Sequence, residues 1–259
     1  MSEILLSSPC AHVQHLQLNR PNKLNALSLN LFTELPERVE ALGQDASLRA
    51  LVISGAGRAF CAGMDMANFA NPKVLADKFE NPDQAYPNFF QRPAWCLRAV
   101  PMPVIAAING ACLGGGLQIA LGADIRLAAP DASFSVMEIK WGMIPDMSAS
   151  QTLRDLIGLD MAKELTFTGR KIGAEEALSL GLITRIEADP VQAALDMAAE
   201  IASKNPDAIR GAKALFNETW HGDGGLEAEE RIQKEIVFKP NQMEAAMAAF
   251  EGREAVFKA

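Results

Sequence analysis

Short apolar runs bounded by turn residues alternate with helical periods through most of the chain, and helical periods alone fill its last part. Val104 to Ile108 is an unbroken apolar run that suits a buried strand, and Asn109-Gly110 supplies the turn that ends it. Ala50 to Ser54 reads as a second buried strand, Ile125 to Ala128 reads as a strand, His12 to Leu18 alternates loosely, and Phe134 to Ile139 predicts a further strand. Ser28 is placed to cap a helix whose apolar face is Leu31, Leu35, Val39 and Leu42. Pro36 falls inside that pattern, so the helix is either kinked or begins later. Three glycines, Gly114 to Gly116, lead into an apolar helix beginning near Leu117. Further helices are expected over Ser148 to Ile157, Met161 to Phe167 and Ala174 to Leu180, with a last short strand over Leu182 to Glu187. From Pro190 onward the chain reads as helical, with starts at Pro190, at Pro206-Asp207 and at Gly225. Faces such as Ala194, Met197, Ala198 and Ile201 need a partner surface. Strands first and helices last predict an α/β core of repeated ββα-like units, over 1–200, and a C-terminal helical region, over 201–259. Residues 68–99 break the pattern. Prolines and the aromatics Tyr86, Phe89, Phe90 and Trp95 gather there without a period, which fits either a flap over an apolar pocket or a helical cap.

With 259 residues, 49% of them hydrophobic and 22% charged, the chain can bury a sizeable core and needs no long disordered tail. A net charge of -8 leaves no global basic field for nucleic acid or an anionic membrane surface. No apolar stretch reaches the length of a membrane span, and Glu3 with no basic segment before an apolar run argues against a signal peptide. Cys10, Cys61, Cys96 and Cys112 are scattered without CxxC spacing, so they read as reduced thiols of a cytoplasmic protein and not as a zinc site or disulfide framework. No His or Lys stands close enough in sequence to activate one of them. His12, His15 and His221 read as surface or strand residues, and no metal cluster is expected.

Candidate chemistry lies in two glycine-rich stretches that each follow a buried strand. GAGRAFCAGMDM carries Gly55, Gly57 and Gly63, and its small residues suit a ligand-facing loop. Gly114 to Gly116 opens a helix, where the first amides have no internal partner and the dipole favours negative charge. Two such amides aimed at one oxygen would form an anion hole; the other reading is a tight turn with glycine for close packing. Downstream, Glu138 and Asp146 are eight residues apart across an apolar turn that contains WGMIP. Acids in apolar surroundings are held protonated to higher pH, as a proton shuttle needs. Read singly, Glu138 is equally a surface acid at a strand end and Asp146 an N-cap for the helix near Ser148.

RPNKLNALS, AFCAGMDM, PVIAAINGACLGGGLQIALGADIRLA and FSVMEIKWGMIPD, in this order, resemble the enoyl-CoA hydratase/isomerase (crotonase) family. The resemblance extends through TGRKIGAEEALSLGLI to MAAFEGREAVFK. It implies a spiral of ββα turns, C-terminal helices that build homotrimers or homohexamers, and acyl-CoA thioester substrates, with coenzyme A part of the substrate and no separate cofactor. By position, the oxyanion hole would be the amides of Met64 and Gly115, flanked by Gly63 and Gly114. Asn22, Lys23 and Leu24 would line the coenzyme A groove, with Ala62 and Asp65 near its nucleotide end and Lys258, from a neighbouring subunit, contacting phosphate. Hydratases carry two glutamates that hold the water; Gln118 stands where the first would be, and Glu138 matches the second. Glutamine cannot exchange a proton at neutral pH. Asp146 occupies a position that is usually glycine in hydratases, and its spacing from Glu138 resembles the acid pair of the dienoyl-CoA isomerases, which usually keep an Asp in place of Gln118. The resemblance therefore implies double-bond isomerisation, with Asp146 as the base for the proton alpha to the thioester and Glu138 as the distal donor. Hydration, other enolate chemistry such as decarboxylation or thioester hydrolysis, and non-catalytic acyl-CoA binding are the alternatives.

Overall fold

The computed structural model describes residues 2–70, 72–79, 86–221 and 225–258. The chain opens on a hairpin of Ile4–Cys10 (β1) and Val13–Leu18 (β2), paired antiparallel. β1 is exposed along almost its whole length, so it has no alternation to read in the sequence. Leu29–Gly43 (α1) follows, with the Ser28 hydroxyl accepting the Leu31 amide at 3.1 Å. Its buried face carries Leu31, Phe32, Leu35 and Val39, and Pro36 is buried inside the helix without ending it.

Three strand pairs then repeat. Ala50–Gly55 (β3) runs into Ala59–Cys61 (β4), and Pro72–Phe79 (α2) and Arg92–Ala99 (α3) lie between this pair and the next. Val104–Ile108 (β5) runs into Ala111–Leu113 (β6) and returns through Gly115–Gly122 (α4); Ile125–Ala128 (β7) runs into Ser133–Ser135 (β8). After Ala149–Thr152 (α5) and Leu159–Thr168 (α6), the two-residue strand Ile172–Gly173 (β9) leads to Ala174–Leu180 (α7) and Arg185–Ile186 (β10). The first strand of each pair joins a six-stranded sheet in the order β1-β2-β3-β5-β7-β10, and the second joins a four-stranded sheet in the order β4-β6-β8-β9. Every pairing is parallel except β1 with β2 and β8 with β9. Each turn thus adds one strand to each sheet, which is the ββα spiral expected from the sequence.

The helices Pro190–Ala202 (α8), Pro206–Thr219 (α9), Gly225–Ile236 (α10) and Pro240–Glu251 (α11) complete the chain, and they begin at the three predicted starts and at Pro240. α8 finds its partner surface on the larger sheet, where Ala194, Ala198 and Ala202 pack against Ala50, Val52, Ile105, Ala107 and Leu127. The alternate residues of the same strands, Leu51, Ile53, Val104, Ala106 and Ile108, face the main core. Burial on both faces explains why these strands read as continuous apolar runs.

Several boundaries differ from the sequence reading. β4 and β6 form inside stretches read as loops, because three residues are too few to show a period. The predicted strand over Phe134 to Ile139 ends at Ser135, and Glu138–Trp141 is instead a 3-10 helix closed by Gly142 at φ 70. The predicted helix over Ser148 to Ile157 is a single α-turn, α5, continued by the 3-10 turn Leu153–Asp155.

Candidate active site

The FCAG loop and the glycine run meet by backbone contact. Leu27 donates to Gly63 O at 2.8 Å and accepts from the Asp65 amide at 2.9 Å, which pins the loop on both sides of Met64. Gly63 sits at φ 92, and a Cβ there would lie 2.9 Å from Leu113 O and 3.7 Å from Gly115 N. A Cβ on Gly116 would lie 2.3 Å from Cys61 O, so glycine is what lets α4 start this close to β4. Gly115 is the first residue of α4, where the amide has no intrahelical acceptor. Among the described residues neither the Met64 amide nor the Gly115 amide has an acceptor within the chain. Two unspent donors therefore flank one junction, and the N-terminal end of α4 adds its dipole.

These loops open on a cavity of about 350 Å³. Of the residues singled out in the sequence, Lys23, Ala62, Gly63, Met64, Asp65, Gly114, Gly115, Glu138 and Asp146 line it. Leu75, Phe90, Met137, Trp141 and Met147 supply apolar wall. Asn22 is exposed outside the lining, and Leu24 supports the wall from behind by accepting the Ala62 amide at 2.9 Å. Gln118 is also off the surface of the cavity; it is 1% exposed, and its Nε2 donates to Glu138 Oε1 at 2.6 Å. Arg20 is the residue that sequence reasoning missed. Its guanidinium pairs with Asp65 at 2.8 Å and Glu3 at 2.9 Å. The Asp65 carboxyl is held below its ordinary range, first by the Ala67 amide and then by Arg20.

The other two acids are shifted the opposite way. Glu138 is 8% exposed, and its Oε1 accepts from Gln118 Nε2 at 2.6 Å while its Oε2 is buried without a partner among the described residues. Burial pushes its pKa up, and the nearby Asp146 carboxylate adds to the rise. Burial also raises Asp146. Neither carboxyl takes its bland role. Glu138 is not a surface acid, and α5 begins at Ala149 without a side-chain cap, so Asp146 is not an N-cap.

Other candidates fall away from the cavity chemistry. Burial pushes the Cys61 thiol up to about 12 and Cys112 well above its ordinary value, so neither supplies a thiolate. His12 bonds Ser47 O at 2.8 Å, His15 bonds the Ser54 hydroxyl at 2.7 Å, and His221 meets Asp155. Asn241 holds both main-chain groups of Lys258, at 2.8 and 3.2 Å, and Arg49 just ahead of β3 bonds Phe257 O at 3.1 Å. Lys258 is not among the residues that line the cavity of its own chain. Among the described residues no group of three or more His, Cys, Asp or Glu could hold a metal ion.

The profile of the enoyl-CoA hydratase/isomerase family matches residues 10–259. The chain belongs to the enoyl-CoA hydratase/isomerase family. It is 39% identical over 226 residues to the human mitochondrial delta(3,5)-delta(2,4)-dienoyl-CoA isomerase, a match that covers 80% of this chain and 66% of that protein. The chain thus spans just under two thirds of the length of that relative. The Bacillus subtilis enoyl-CoA hydratase/isomerase YngF is 35% identical over 260 residues and is covered to 98%, as is this chain. Among solved structures, an enoyl-CoA hydratase from Bacillus anthracis superposes with a TM-score of 0.91 at 32% identity, covering 99% of both chains. The hydratase/isomerase family is enzymatic, and the α/β spiral with C-terminal helices is its crotonase fold.

The segment that the sequence left open, 68–99, carries α2 and α3 with a non-helical stretch over 86–91 ahead of α3, and it also walls the cavities of this family member; residues 71 and 80–85 lie outside the described residues. Leu75 and Phe90 line the main cavity, and Phe90 packs edge-on against Phe89 and Phe32 at 5.2 and 5.6 Å between centroids. On the far side of Asp146 a second cavity of about 500 Å³ is lined by Tyr86, Trp95, Ile144 and Pro145. Asp146 belongs to both walls.

Proposed function

We propose that this chain moves carbon–carbon double bonds in dienoyl-CoA and enoyl-CoA thioesters by carrying a proton along the acyl chain through a bound enolate. The observation that carries this reading is the division of labour among the three carboxyls of the cavity. Asp65 is locked as an anion by the Ala67 amide and Arg20, whereas Glu138 and Asp146 are both raised toward the range of a proton shuttle. Gln118 stands where a third exchanging group would be, and its carbonyl oxygen is already taken by the Met147 and Ala149 amides. Two acids remain to move one proton.

In the proposed cycle the thioester oxygen lies between the Met64 and Gly115 amides. Asp146, as carboxylate, takes a proton from C2 of a 3,5-dienoyl thioester, and the electron pair of that C–H bond becomes the enolate on the thioester oxygen. The enolate returns its electrons through the diene, C2=C3 and C4=C5 form, and C6 takes the proton of Glu138. The product is the 2,4-dienoyl thioester; Asp146 then carries a proton, Glu138 is ionised, and solvent resets both. No cofactor beyond the coenzyme A of the substrate enters. The second cavity beyond Asp146, with Trp95, Ile144 and Pro145 in its wall, suits the rest of an acyl chain. Exposed apolar side chains on the last helices, among them Phe216, Leu226 and Phe250, support assembly as a homotrimer or a pair of trimers, and the unpaired cysteines support the cytoplasm.

Hydration of a 2-enoyl thioester is the second reading, favoured by the retained Glu138 at the position of the second hydratase glutamate. Incubation with 3,5-dienoyl-CoA and separately with 2-enoyl-CoA in heavy-oxygen water, followed by mass spectrometry, separates the two. A 2,4-dienoyl product without label is expected. Label in a 3-hydroxyacyl product would put hydration first, and no turnover of either would leave acyl-CoA binding alone.

A further inference from the structure

Gln118 is joined by hydrogen bonds to both stretches of chain that bear the two acids. Its Oε1 accepts from Met147 N at 2.8 Å and from Ala149 N at 3.2 Å, and its Nε2 donates to Glu138 Oε1 at 2.6 Å. Two backbone donors on one amide oxygen forbid the flipped orientation, because a flip would set NH2 against two N–H groups. The amide is therefore fixed as a donor to Glu138. Residue 147 follows Asp146 directly, so the same side chain ties the Glu138 carboxyl to the backbone that carries Asp146.

We propose that Gln118 is a positioning residue that fixes the geometry of the proton shuttle, reserving Glu138 Oε2 as the oxygen that exchanges a proton with the substrate and holding the Asp146 stretch in register with it. This rests on the isomerisation reading above. Oε1 is occupied by a donor, and a carboxylic acid places its proton on the oxygen that is not already receiving one. Oε2, buried and unpartnered, is that oxygen. A glutamate in place of Gln118, as long as the amide it replaces, would reach Oε1 with an acceptor, and the proton would settle between the two acids, away from the reacting carbon. The neutral amide thus removes a competitor for the shuttled proton. Charged groups around Glu138 are Asp146 ahead of α5, Lys23 and the Arg20-paired Asp65 across the cavity, and Lys140 on its own turn, whose ammonium lies over the Trp141 ring.

The test compares wild type, Gln118→Met and Gln118→Glu in two ways: the pH profile of kcat with 3,5-dienoyl-CoA, and the titration of Glu138 read without turnover from its carboxyl infrared band, assigned with Glu138→Gln. Gln118→Met removes the donor that favours the charged form, and Gln118→Glu places an acid beside it. In both, the Glu138 titration and the descending limb of kcat are expected to move up by about one pH unit or more. kcat at neutral pH is expected to fall by about 100-fold, with binding of the thioester within about threefold of wild type. Gln118→Glu keeps acceptors for both backbone amides and so serves as the variant that folds if Gln118→Met does not. A fall in kcat with both limbs and the infrared titration unmoved would reduce Gln118 to a packing role and overturn the proposal, as would an unchanged kcat. If the wild type does not isomerise dienoyl-CoA while the Glu138 titration moves as stated, it is the functional reading that fails, and the positioning of Glu138 stands.

Discussion

Asp146→Asn is expected to lower kcat for dienoyl-CoA isomerisation by about 1,000-fold, with the affinity for the thioester little changed. Asparagine keeps the shape and the hydrogen-bonding reach of the side chain and loses the capacity to take a proton. In the proposed cycle the thioester oxygen and the coenzyme A end meet other residues of the cavity, Met64, Gly115 and Lys23 among them, so ground-state binding has no reason to fall. Stability separates this effect from damage to the fold. Burial raises Asp146, so its folded pKa lies above its unfolded one, and the carboxyl contributes stability only at acid pH and loses it as pH rises through the folded pKa. At neutral pH the ionised group is a cost to the fold, and removing it should leave the thermal midpoint unchanged or higher. The same shifts set the pH profile. Asp146 must be ionised and Glu138 protonated, so the rate should fall below the raised pKa of Asp146 and fall again above that of Glu138. Turnover retained in Asp146→Asn would take Asp146 out of the mechanism and leave Glu138 as the single exchanging acid.

The parts of the fold that were legible in the sequence are those whose residues are buried as units. Val104 to Ile108 is a strand over the residues read from its apolar run, because the parallel sheet covers both its faces with apolar contacts. The starts of α8 and α9 were legible for a local reason, proline at the first helical turn after a capping residue, Asp189 or Asn205. What escaped was short or tertiary. β4 and β6 are three residues each, and β1 has almost no buried side. Glu138 and Asp146 could be singled out as acids beside apolar residues, but whether they face solvent or a cavity depends on the 3-10 turn at Glu138 and on Gln118, twenty residues away. Arg20 was passed over because its partner Asp65 is forty-five residues distant and nothing local marks the pair.

Gly63→Ala is expected to lower kcat/KM by about 100-fold or more, the scale of losing one preorganised donor from an oxyanion hole. Two costs arise at this residue. The left-handed backbone, φ 92, strains any side chain by about 1–2 kcal/mol. The added methyl would also stand 2.9 Å from Leu113 O, a contact that real side chains do not make, so the FCAG loop and the start of α4 must separate. Met64 is the next residue and Gly115 N lies 3.7 Å from the new Cβ, so the separation falls on the two amides proposed to hold the thioester oxygen. Gly252→Ala isolates the first cost, since Gly252 also has a positive φ, 65, and open space around its Cβ, at the far end of α11. Both variants should lose a few degrees of thermal midpoint, at about 2–4 °C per kcal/mol for a chain of this size. The loss of turnover is expected in Gly63→Ala alone. It is expected with either a dienoyl or an enoyl thioester, because isomerisation and hydration both load negative charge on the thioester oxygen. Equal turnover in the two variants would mean that Met64 and Gly115 do not hold that charge, whatever the acids at Glu138 and Asp146 then do.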